Sequence, residues 1–115
     1  QMGNAVKEIQ VTIEQCQEVV NRGEQLERLL LNDDSNALIM DHYTKHEAMR
    51  QTLLLGDPCA SSREVRDGII RGLDGIAQLV SYFRAVRHAA GVAARTIEDE
   101  RDKLEEAYAI DAEAE

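Results

Sequence analysis

The sequence predicts an all-α protein: an antiparallel three-helix bundle whose third helix is long and coiled-coil-like. Three observations carry this. Apolar residues recur at spacings of three and four, with no competing alternation at period two. The chain has one proline and no tryptophan, and is rich in Ala, Leu, Glu, Arg and Gln, which lose little entropy in a helix. One heptad position reads Ile69, Ile76, Phe83, Ala90, Ile97, Leu104 without a break. A length of 115 residues suits one helical domain over residues 1–115 with a single modest core.

The first helix is expected over about 4–31. Val6, Ile9, Ile13, Cys16 and Val20 form its stripe, widened by Val19, Leu26, Leu29 and Leu30, and Asn4 is placed to cap it. Gly23 weakens its middle by about 1 kcal/mol relative to Ala. Asn32-Asp33-Asp34-Ser35-Asn36 is a breaker whose side chains can bond their own backbone and cap the next helix. A second helix is expected over about 35–55, burying Leu38, Ile39, Tyr43, Met49 and Leu53.

Gly56-Asp57-Pro58 is the strongest stop: glycine offers a left-handed C′ position, and proline forbids continuation. Ser61 and Glu64 stand in capping-box spacing, so a third helix begins near Ser62. Between 62 and 109 nothing resembles a loop, and Gly91 sits in an alanine-rich stretch. One helix over 62–109 is therefore preferred to an up-down four-helix bundle with a turn near Gly91. Such a helix would be about 70 Å long, against about 40 and 30 Å for the first two. On that reckoning Ile97, Leu104 and Tyr108 lack cover from their own chain. Asp111–Glu115 is expected to fray.

Charge narrows the function classes. The net charge of −9 argues against nucleic acid as a partner. It is also uneven: −5 over residues 1–62, +3 over 63–97 and −7 over 98–115. The acidic remainder argues against a membrane surface, and no apolar run approaches the ~20 residues of a membrane span. Met2-Gly3-Asn4 has the outline of a myristoylation start, yet Lys7 stands where Ser or Thr is wanted and Gln1 precedes the methionine. No secretory-signal layout opens the chain. Cys16 and Cys59 form no disulfide framework and read as free thiols in a reducing, cytoplasmic setting.

His42 and His46, spaced i, i+4 with Asp41 and Glu47 nearby, could share a metal ion, but Cys59 and His88 supply no recognisable further ligand spacing. Cys16 lies in an apolar stripe and reads as core. Cys59 has no local histidine to activate it. No motif for catalysis, nucleotide or calcium is present, so no catalytic, metal or cofactor residues are assigned. Gly68, Gly72 and Gly75 lie in one strip whose cost in helix propensity suggests close backbone packing, or a groove for a partner helix.

The middle of the third helix is thin: Ala85, Ala89, Ala90, Gly91, Ala93, Ala94. Arg84, Arg87, His88 and Arg95 precede it, and Glu98, Asp99, Glu100, Asp102, Glu105 and Glu106 follow. Two copies crossing antiparallel would set basic turns against acidic ones. The expected protein interface is Arg84, Arg87, Ala90, Gly91, Ala94, Ile97, Arg101, Leu104 and Tyr108. The sequence thus reads as a non-enzymatic interaction module, an adaptor, assembly or scaffold segment, binding another protein or itself. A metal- or small-ligand-binding bundle using His42 and His46 is the alternative.

Overall fold

The structure is a computed structural model and describes residues 2–60 and 62–114. Its described residues contain three helices and no strand. Helix α1 spans Met2–Leu31. Helix α2 covers 33–55 in three windings: α over Asp33–Ser35, π over Asn36–Glu47, α over Ala48–Leu55. After a 3₁₀ turn at Pro58–Ala60, helix α3 runs unbroken over Arg63–Ala114. The third helix is thus continuous through Gly91, and the turn of the four-helix alternative is absent. Helix α3 includes Asp111–Ala114 of the segment expected to fray; Glu115 lies outside the described residues.

Local chemistry explains the boundaries. Asn4 does not cap α1, which already includes Met2 and Gly3. The five-residue breaker narrows to Asn32 alone, because one extended residue (φ −71°, ψ 123°) serves both helix ends. Its amide donates to the carbonyls of Arg28 and Leu29 at 3.2 and 3.3 Å, and its Oδ1 accepts the Ser35 amide at 3.0 Å.

Gly56 is not left-handed, with φ −90° and ψ −3°. The end of α2 tightens instead into i→i+3 bonds, Gly56 N–H to Leu53 and Asp57 N–H to Leu54, both at 3.1 Å. Arg66 Nη1 then donates to the Leu55 carbonyl at 2.8 Å, a cation at a helix C-terminus. Ser61 of the expected capping box lies outside the described residues. Ser62 Oγ caps α3 by accepting the Val65 amide at 3.2 Å.

The π winding of α2 corrects its expected burial. Leu38, Tyr43, Met49 and Leu53 are exposed, and only Ile39 of the expected set is half-buried. Counting back from Thr44, an α-helix would turn Asp41 inward along with Met40. The wider winding leaves Asp41 exposed and half-buries Ile39 and Met40. Avoiding a desolvated carboxylate favours this phase, and it changes which apolar residues face inward.

The chain divides into two compact units, Leu26–Ala85 and Gln1–Gln25 with Val86–Glu115. In the first unit Leu26, Ile69 and Ile76 are buried, with Leu73, Val80 and Phe83 half-buried. Helix α2 runs antiparallel to the start of α3, with Leu55 at Arg66 and Gln51 reaching toward Gly72. Gly68 and Gly75 have no backbone near them, so the close packing expected of the glycine strip is absent; only Gly72 meets another helix, through the Gln51 side chain.

In the second unit residues 2–25 of α1 lie antiparallel on residues 86–114 of α3. Gly23 is buried against Ala90, and Gln10 Nε2 donates to the Tyr108 hydroxyl at 3.3 Å. Val86, Ala93 and Ile97 are buried there, and Ile9, Ile13, Cys16, Val20 and Leu104 are half-buried. The expectation that Ile97 and Leu104 lack cover is thereby overturned: the chain's own first helix covers them. Its apolar stripe is long enough to pair with this far half.

Candidate interaction surface

The heptad row from Ile69 to Leu104 is buried or half-buried throughout, as its apolar content requires. The heptad row four residues on, Leu73, Val80, Arg87, Ala94, Arg101 and Tyr108, divides. Leu73 and Val80 are half-buried, whereas Arg87, Ala94, Arg101 and Tyr108 are exposed. From Val86 onward the inward positions pass to Val86, Ala93, Glu100 and Ala107, one residue earlier. Burying two guanidinium groups would be costly, and the adjacent row offers mostly aliphatic side chains instead.

The expected interface therefore separates into two sets. Ala90, Ile97 and Leu104 pack inside their own unit, and Ile97 is only 5% exposed. Arg84, Arg87, Gly91, Ala94, Arg101 and Tyr108 remain at the surface. A Cβ added at Gly91 would meet nothing within 4 Å. The small residues of α3 thus have two situations: Ala90 and Ala93 face α1, and Gly91 and Ala94 face outward.

The most exposed apolar side chains lie elsewhere, and sequence reasoning missed them. In the unit Leu26–Ala85, Leu31, Leu38, Met49 and Leu53 are each 63% exposed or more, with Tyr43, Val65, Ile70 and Tyr82 also at the surface. Helix α2 buries no residue fully in any of its three windings. On α2 the signal that hides them is ordinary heptad spacing, which a π segment does not obey.

Among polar groups on α2, the Glu47 carboxylate accepts two hydrogen bonds from Arg50 at 2.6 and 3.0 Å and one from Gln51 Nε2 at 3.0 Å. The Arg50 guanidinium, and then the Gln51 amide, hold the Glu47 carboxyl down to about 2, and Glu47 in turn raises Arg50. This cluster pins the junction between the π and α windings.

His42 and His46 are exposed neighbours with ring centroids 6.4 Å apart. Among the described residues no group of three or more His, Cys, Asp or Glu side chains converges as a metal site. Cys16 is half-buried and Cys59 exposed, both as free thiols. Asp57 Oδ1 accepts the Cys59 amide at 2.8 Å, which fixes the loop carrying that thiol. Among the described residues no helix is long and apolar enough to cross a membrane.

Comparison of the chain with protein-family models, with curated proteins and with solved structures finds no match.

Proposed function

We propose that this chain is a non-enzymatic interaction module, a helical adaptor or scaffold segment that docks onto another protein surface. One observation carries the reading. The chain is 43% hydrophobic by residue, yet the buried apolar side chains among its described residues are Leu26, Ile69, Ile76, Val86, Ala93 and Ile97, while large ones such as Leu38, Met49 and Leu53 stand in solvent. Monomeric proteins tolerate scattered exposed leucines, but a helix that fully buries none of its residues gains little stability from its own fold. A partner covering α2 would remove about 25 cal/mol from the free energy for each Å² of apolar surface withdrawn from water.

The partner is read as protein. Net charge repels phosphate backbones. Self-association along α3 loses Ile97 and Leu104 as contributors, because α1 already covers them. It keeps the outward row of Arg87, Gly91, Ala94 and Arg101 beside the acidic turns that follow.

The test is a capture experiment with the full chain and the variants Leu53→Asp and Ala94→Glu, alongside sedimentation velocity at micromolar concentration. A partner retained by the parent and by Ala94→Glu but lost by Leu53→Asp supports docking through α2. A dimer lost by Ala94→Glu alone assigns the surface to α3. A monomer that captures the same proteins whether or not Leu53 is changed refutes the reading.

A further inference from the structure

We propose that residues 2–25 act as a salt-sensitive strap over the second half of α3, closed at high ionic strength and lifting when ionic strength is low. The strap is held by a thin layer of small and aliphatic groups. Gly23, Val86, Ala93 and Ile97 are its buried residues, and Ile9, Ile13, Cys16, Val20, Ala90 and Leu104 are half-covered. A Gln10–Tyr108 hydrogen bond joins the two helices, but it is neutral and exposed.

Net charge opposes the closure. Residues 1–25 carry a formal −2 and residues 86–115 a formal −5. Exposed carboxylates outnumber exposed cations on both helices: Glu8, Glu14, Glu18 and Glu24 against Lys7 and Arg22 on α1, and Glu98, Asp99, Asp102, Glu105 and Glu106 against Arg87, Arg95, Arg101 and Lys103 on α3. The Lys103–Glu100 ion pair at 3.2 Å is internal to α3 and adds nothing across the helices. Packed helices lie about 8–10 Å apart. The Debye length is about 30 Å at 0.01 M salt and 3 Å at 1 M, so dilute salt leaves the repulsion between the helices intact and concentrated salt removes it. The hydrophobic contribution does not vanish over that range, so salt tips a balance. Lifting the strap bares Ala93, Ile97 and Leu104, a stretch of α3 that the closed state hides.

This inference does not depend on the docking reading. It is tested by hydrogen exchange on the full chain in about 0.01 M and about 0.5 M NaCl. The expected result is opening about tenfold less frequent at high salt for amides of residues 5–22 and 92–107, with a smaller change over 65–80. Glu14→Gln combined with Glu18→Gln neutralises the strap and should raise low-salt protection over the same amides. Protection that ignores salt, falls with salt or changes equally in both regions overturns the proposal. So does a neutralised strap that opens as often as the parent at low salt.

Discussion

Gly23 of α1 lies against Ala90 of α3, so close that a methyl group added at position 23 would collide with the Ala90 side chain. The same glycine carries a propensity penalty in the sequence. In the fold it is a place where two helices approach closely, and its missing side chain is what permits the contact.

Gly23→Ala should therefore destabilise the protein, although alanine is the better helix former. The helix gains about 1 kcal/mol at most from propensity. Overpacking at a fixed contact costs about 1–3 kcal/mol. Urea melts should show a net loss for Gly23→Ala, and the double variant with Ala90→Gly should recover most of it.

Gly75 and Gly91 should respond in the opposite sense. A Cβ at either meets nothing within 4 Å, and no glycine has a positive φ among the described residues. Gly75→Ala and Gly91→Ala should each stabilise α3 by about 0.5–1 kcal/mol, read as higher melting temperatures.

Ile97 and Ile70 are the same residue on the same helix, 5% and 45% exposed. Ile97→Ala should cost about 2–5 kcal/mol in denaturant unfolding. Ile70→Ala should cost well under half as much, because less of that side chain leaves water on folding.

Glu47 predicts an acid limb of stability. Its carboxyl is lowered in the folded chain from 4.5 to about 2 by Arg50 and Gln51. A lowered folded value means the unfolded chain takes up the proton more readily, so this contribution is complete above about pH 4.5 and fades as pH falls toward 2. Carboxyl NMR titration should place Glu47 near the low value, and Arg50→Met should return it toward 4.5.

Much of the fold was legible in the sequence, for reasons that are local. Asn32 and Gly56-Asp57-Pro58 mark both helix junctions, because capping and proline act within a few residues. The unbroken heptad row from Ile69 to Leu104 gave the long α3, since a helix of that length needs no tertiary information to be recognised. What stayed hidden is relational. Gly23 looked like a defect because its partner, Ala90, lies 67 residues away. The burial of α2 went astray at Leu38, Tyr43, Met49 and Leu53 because a π segment rephases the helix without any proline or glycine to announce it. Of the expected interface, Arg84, Arg87, Gly91, Ala94, Arg101 and Tyr108 keep the exposure that an interface needs. Ile97 and Leu104 do not: apolar spacing marks a buried face without naming what buries it.

The covering of α3 by α1 is the relationship from which the unit Gln1–Gln25 with Val86–Glu115 is built. Spin labels at Gln10 and Tyr108, with Cys16 and Cys59 replaced by alanine, report it directly. Diluted into unlabelled chain, the pair should keep a separation of about 10–20 Å, the spacing of packed helices plus the labels. A distance beyond about 40 Å, or a short distance that disappears on dilution, would contradict intramolecular cover and return Ile97 and Leu104 to the surface.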